Sequence, residues 1–265
     1  MPLATGSDMS PIVEGFLGSF GAGMLTAVGA IPILFVRSLS ERAQHLLLSV
    51  AAGVMLAASF FSLIVPGVEV LRRSGSHQAI AAAVMAAAVL AGALAIGLLN
   101  RRVALSIESV GPAGADRDVA RRLWLFVAAI TLHNLPEGMA VGVSFGGGDL
   151  SAGFATALGI GIQNLPEGMV TATALMALGY SRWLGFAGAL ASGLVEPVGG
   201  LLGVSLVAMV PVLLPAGLGF AAGAMIYVVT AEMIPETQQR AEGGRSIAAF
   251  MGGLVIMMFL DVALG

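Results

Sequence analysis

Along the 265 residues, apolar stretches of about twenty residues or more alternate with short polar breaks. A helix needs roughly 20 apolar residues to cross the hydrocarbon core of a bilayer. The alternation therefore predicts eight spans, at 12–36, 46–68, 78–99, 121–147, 151–179, 183–209, 211–235 and 245–264. Several abut across short turns such as Gly179-Tyr180-Ser181 and Val210-Pro211. The longest connection, 100–120, is polar and holds Gly111-Pro112, which reads as a mobile loop. The first eleven residues carry no basic run, and the apolar stretch after them is too long for a signal sequence. It is expected to stay as the first span.

Two of these spans are interrupted by polar residues at their middles. One holds His133-Asn134-Leu135-Pro136-Glu137-Gly138-Met139, and the other, thirty residues on, Gln163-Asn164-Leu165-Pro166-Glu167-Gly168-Met169. Positions i, i+1 and i+4 lie close on a helix surface, so His133, Asn134 and Glu137 form one polar wall and Gln163, Asn164 and Glu167 another. The connection between the spans, 146–150, is short, so the two helices should run antiparallel with their walls at the same depth. Pro136 and Pro166 each remove a backbone donor, which should kink the helix and free a carbonyl one turn earlier. Polar groups at such depth point into protein or water and mark ion paths. The pattern reads as a buried metal-ion site.

A third mid-span acid, Glu196, stands before Pro197, with Gly193 and Gly200 at helical spacing to admit a close neighbour. Glu69 and Asp261 fall near the outer ends of spans two and eight, and Glu232 near the inner end of span seven. A single intramembrane glutamate beside proline has a plain structural reading, an acid held protonated against the freed carbonyl. Three of them with one histidine and no mid-span basic residue do not fit that reading, because three bare carboxylates repel strongly at low dielectric. A cation is the economical neutraliser. By composition alone Met55 is a core methionine, Glu69 and Asp261 are interfacial, and Glu108, Asp116 and Asp118 are a solvated run. The small residues Gly138, Gly142 and Gly146 form a stripe beside the first wall.

Composition agrees with a membrane protein: 58% hydrophobic and 10% charged residues, with 37 glycines and a mean hydropathy of +0.97, against about a quarter charged for soluble domains. Abundant glycine suits closely packed membrane helices. There is no cysteine, hence no disulfide and no thiolate ligand. All twelve basic residues are arginines, and ten of them follow odd-numbered spans (Arg37, Arg42, Arg101, Arg102, Arg117, Arg121, Arg122, Arg182, Arg240 and Arg245). Only Arg72 and Arg73 fall on the opposite side. The positive-inside rule then places both termini outside and the 100–120 loop in the cytoplasm.

These residues resemble the Zrt/Irt-like (ZIP) divalent-metal transporters, in their bacterial branch. The likeness runs over nearly the whole chain and rests on His-Asn-Leu-Pro-Glu-Gly at 133–138, Gln-Asn-Leu-Pro-Glu-Gly at 163–168, Ser-Gly-Leu-Val-Glu-Pro at 192–197 and Ile-Pro-Glu-Thr at 234–237. It implies a binuclear site between spans two, four, five and six. One metal would be held by Met55, His133, Glu137, Gln163 and Glu167. The second would be held by Asn134, Glu137, Asn164, Glu167 and Glu196, with Glu137 and Glu167 bridging. Ser62, Glu69 and Asp261 match outer-pathway positions and Glu232 a position near the cytoplasmic exit. Three departures stand out: Asn164 where some relatives carry aspartate, Ala231 where some carry an exit-path histidine, and a 100–120 loop without histidine. The resemblance also implies homodimers, and movement of one bundle (spans one, four, five and six) against another (two, three, seven and eight).

The expected function is secondary-type transport of Zn²⁺ and similar ions (Cd²⁺, Fe²⁺, Mn²⁺, Co²⁺) across a bacterial inner membrane into the cytoplasm. The metal is cargo, and no catalytic residue, cofactor or nucleic-acid partner is expected. Imidazole with carboxylates suits several of these ions and does not choose among them. No phosphate-cradling glycine loop followed by Lys-Ser/Thr is present to couple ATP. The rival readings are an intramembrane metalloenzyme and a metal-binding membrane protein that does not transport. The enzyme reading meets a His-x-x-x-Glu order with proline between, where metalloproteases carry His-Glu-x-x-His.

Overall fold

The computed structural model describes residues 10–35, 40–106, 117–238 and 243–264, and among them every regular element is helical. The helices are α1 (Pro11–Ala30), α2 (Glu41–Ala58), α3 (Val65–Arg73), α4 (Gln78–Ser106), α5 (Arg117–Gly146), α6 (Leu150–Ala177), α7 (Arg182–Gly193), α8 (Glu196–Met209), α9 (Leu214–Val228), α10 (Ile234–Gln238) and α11 (Gly243–Leu264). Their starts are written locally. Ser10, Ser40, Asp149 and Ser181 each stand in extended conformation and accept a first-turn N–H at the heads of α1, α2, α6 and α7. The turn between α5 and α6 is as short as expected. Gly148 there has φ +78°, a left-handed conformation open to glycine at little cost.

Six helical rods among the described residues are long and apolar enough to cross a membrane: Pro11–Leu34, Arg42–Arg73, Gln78–Arg102, Arg182–Met209, Pro211–Met233 and Gly244–Ala263. They answer to six of the eight expected spans and make this an integral membrane protein. α5 and α6, with 30 and 28 residues, are as long but carry the two polar heptapeptides at their middles. Both helices pass through Pro136 and Pro166 without interruption.

Four features differ from the expected spans. Residues 100–106 continue α4 and 117–120 open α5, so part of the expected loop is helix, and 107–116 lie outside the described residues. Span six is two helices, because α7 stops at Gly193 and α8 restarts at Glu196, ahead of Pro197. The second and seventh rods each contain a π-helical stretch, Ser59–Ile64 and Val229–Met233. Such stretches widen a helix by one residue per turn and re-aim its side chains.

The helices sort into two groups by how closely their backbones meet. In the first group, a Cβ placed on Gly138 or Gly142 of α5 would collide with the carbonyls of Glu196 and Gly200 on α8, and one on Gly168 of α6 with that of Thr26 on α1. In the second, Gly53 of α2 meets the carbonyl of Phe250 on α11, and Gly92 of α4 meets that of Phe220 on α9. Only glycine permits these approaches. Where glycines face the other group, they meet side chains: Gly147 meets Leu214, Gly159 meets Met257 and Gly217 meets Val143. Backbones interlock through the first group and, in the second, within the α2–α11 and α4–α9 pairs, while the glycines that face from one group to the other meet side chains.

Candidate metal site

The two polar walls do meet. Gln163 on α6 donates its Nε2–H to Glu137 Oε1 on α5, joining walls that are separate in sequence. Asn164, its neighbour, donates from Nδ2 to Glu196 Oε1 at 2.6 Å and to the Ala22 carbonyl of α1 at 2.8 Å. Asn134 donates from Nδ2 to Ser192 Oγ on α7 at 3.0 Å. The break in span six sets Glu196 in the first turn of α8, where the positive end of the helix dipole favours a carboxylate.

All three carboxamides thus spend their N–H groups on protein and leave their oxygens over. The oxygens of Asn134, Gln163 and Asn164 are buried without a hydrogen-bond partner, as are Glu137 Oε2, Glu196 Oε2 and both oxygens of Glu167. Buried polar atoms are nearly always paired, and each exception asks for a reason. Here seven oxygens with no protein donor lie on three adjoining helices, α5, α6 and α8. Glu137, Glu167 and Glu196 are all buried. Ionised together in a low-dielectric interior, such acids repel one another strongly. A set of oxygens rich in negative charge and poor in donors is suited to a desolvated divalent cation.

The other expected residues are placed as follows. His133 is 3% exposed, and its Nε2 lies 2.9 Å from Glu232 Oε2 in the second π stretch. Asn100, toward the C-terminal end of α4, donates to the other oxygen of Glu232. Met55 is fully buried in the apolar core with Ala22, Val141, Ile160 and Met257. Ser62, in the first π stretch, donates to Asp261 Oδ1 of α11 at 2.6 Å. Glu69 is half exposed and paired with Arg73 at 3.0 Å and Arg72 at 3.9 Å. Among the described residues, no three His, Asp or Glu side chains close on one point as a ready-made cage. Glu137 and Glu196 stand bonded to amides and Glu167 to no partner, so an ion would have to draw them together.

Comparison with known proteins decides the family. The sequence model of the ZIP zinc transporters matches residues 111–261. Zinc transporter ZIPB of Bordetella bronchiseptica is 42% identical over 98% of this chain and 84% of its own length. Zinc transporter GufA of Myxococcus xanthus is 40% identical over 95% of this chain and 99% of its own. The chain belongs to the ZIP zinc transporter family. Human zinc transporter ZIP11, at 33% identity over 97% of this chain and 98% of its own length, lies in the same family. This is a family of transporters, which removes the metalloenzyme reading.

Within that family setting, the residues that sequence reasoning left unassigned are Ser192, Asn100 and the Ala22 carbonyl. Ser192 was in view as part of a family marker, and Asn100 as a polar residue ending a span. A backbone carbonyl leaves no mark in a sequence, and the pairing of His133 with Glu232 spans 99 positions.

Proposed function

We propose that this protein carries Zn²⁺ and similar divalent ions across a bacterial plasma membrane into the cytoplasm, through a site formed by Glu137, Glu167, Glu196 and the oxygens of Asn134, Gln163 and Asn164. The observation that carries this reading is the set of seven buried, donorless oxygens on α5, α6 and α8. His133, with Glu232 and Asn100, forms a neighbouring station toward the cytoplasmic end, and Ser62, Asp261 and Glu69 mark the outer approach. Met55, buried in the apolar core, is a further ligand candidate. The names of the relatives support zinc as cargo. The donor types would also accept Cd²⁺, Fe²⁺, Mn²⁺ and Co²⁺.

In this reading the whole chain is one transporter domain of eight spans, α5 and α6 being the fourth and fifth, with both termini outside. The family likeness supports a homodimer. The contact pattern supports motion of one group of helices past the other. Glycines let backbones interlock through the first group and within the α2–α11 and α4–α9 pairs, and between the groups Leu214, Met257 and Val143 provide a layer that can slide. The His133–Glu232 bond crosses that layer and would part when the groups shift. A divalent ion entering a cell that is negative inside gains about 4.6 kcal/mol per 100 mV, at roughly 2.3 per charge, which is ample drive without a co-substrate.

Flux into liposomes tests the reading. Purified protein should conduct Zn²⁺, and side-by-side assays with Fe²⁺, Mn²⁺ and Cd²⁺ give its order of preference. Metal binding without flux of any of the four would refute transport. Orientation is tested separately in this cysteine-free chain. Cysteine at Gly147 should react with an impermeant maleimide on intact cells, and cysteine at Gly114 only after lysis. Labelling of both from outside would reverse the assignment of sides.

A further inference from the structure

Residues 74–77 join two of the membrane-crossing rods, Arg42–Arg73 and Gln78–Arg102. A turn between two spans lies at a membrane surface. In the orientation proposed above, this is the outer one. A cavity of about 390 Å³ opens there, lined by Glu69, Arg72, Arg73, Ser76, His77 and Gln78. Arg72 and Arg73 are also the two arginines that stand against the positive-inside pattern, so their place asks for a reason.

The cavity is rich in donors. Arg73 spends its Nε on Glu69 at 3.0 Å and keeps its terminal nitrogens. Arg72 stands 3.9 Å from the same carboxylate, beyond hydrogen-bond length. His77 Nδ1 accepts the Ala79 N–H at 3.3 Å, which puts the proton of the neutral imidazole on Nε2 as a donor. Two arginines against one glutamate leave one positive charge. Beside the cavity the surface turns apolar. Val65, two turns before Arg72 on the same face, is 56% exposed. Ile80 and Val84 follow His77 at helical spacing and are 58% and 38% exposed. The exposed apolar face continues down α4 through Leu90, Leu94 and Leu98.

We propose that this cavity holds the phosphate of an anionic phospholipid such as phosphatidylglycerol, with an acyl chain along Val65, Ile80 and Val84. A phosphodiester carries one negative charge, which matches the one positive charge left in the cavity. A zwitterionic headgroup would leave that charge uncancelled. Guanidinium groups suit phosphate, which they can bind through two parallel N–H bonds, and Ser76 and His77 add further donors. A donor cluster beside an exposed apolar face fits an amphiphile, whereas a soluble anion would use only its polar half. The outer leaflet as the source rests on the orientation proposed above, which the maleimide labelling tests by itself.

Purified protein in neutral detergent, melted with rising amounts of phosphatidylglycerol or phosphatidylcholine, tests the site. Phosphatidylglycerol should raise the melting temperature saturably, and phosphatidylcholine at the same mole fraction should not. The paired Arg72→Gln/Arg73→Gln protein should need about thirtyfold more phosphatidylglycerol for half the effect, the scale of two surface arginines. In detergent alone it should melt close to the unmodified protein, because exposed ion pairs contribute little. Equal shifts from the two lipids overturn the proposal, as does an unchanged half-effect amount in the glutamine pair. Equal loss in Arg101→Gln/Arg102→Gln, which removes the same charge toward the other end of α4, would show bulk charge and overturn a site. An equal shift from soluble glycerol phosphate would make the occupant a free phosphate and overturn the lipid.

Discussion

Glu167→Ala should abolish metal flux, by about 100-fold or more, and leave the metal-free protein at least as stable as the original. The two halves of that expectation have one cause. Neither oxygen of Glu167 has a hydrogen-bond partner, so its removal breaks no bond in the empty protein. It also removes two buried polar oxygens that the empty protein leaves unsatisfied, which carries no cost and can relieve one. The same two oxygens are the most available ligands in the site. Asn164→Ala should behave in the opposite way. It strips a donor from Glu196 and from the Ala22 carbonyl, and leaving such groups unpaired costs about 1–3 kcal/mol of stability. It removes only a neutral oxygen from the ion. Flux in liposomes and thermal melting in chelator, at matched expression, measure both. Equal loss of flux in the two variants, or a Glu167→Ala protein that melts well below the original, would count against this role.

The second large effect concerns charge. Two divalent ions carry four positive charges, and the site has three carboxylates, Glu137, Glu167 and Glu196. Asn164 adds no fourth, and its Nδ2 occupies Glu196 Oε1 at 2.6 Å, an oxygen that a second ion would want. One tightly held ion per chain is therefore expected. Asn164→Asp removes the donor and sets a carboxylate against Glu196 and the Ala22 carbonyl, an arrangement that only a cation can satisfy. The variant should bind a second zinc. It should also depend on metal for stability: at 100 times the second dissociation constant, zinc adds about 2.7 kcal/mol. Metal counted in purified protein at saturating Zn²⁺, with melting compared in zinc and in chelator, tests both points. Two firmly bound ions in the unmodified protein, both lost in Glu137→Ala, would be the contrary result.

The sequence by itself determined the membrane class, six of the rods, the short α5–α6 turn and the polar faces of the two motif helices. Each of these follows from local rules: apolar run length against bilayer thickness, helical periodicity, capping serines and a glycine turn. The meeting of Gln163 with Glu137 was also foreseeable, because a turn of a few residues forces its two helices side by side. Long-range register was not. Which carbonyl Asn164 bonds, that Ser192 orients Asn134, and that His133 faces Glu232 across 99 residues all depend on which glycine meets which backbone. Many glycines are equivalent in sequence, and packing alone selects their partners. The π stretches and the break before Glu196 have the same origin. Apolar runs such as Ser59–Ile64 read as ordinary helix, and only the fit against neighbouring helices makes room for the extra residue that turns Ser62 toward Asp261 and Glu232 toward His133.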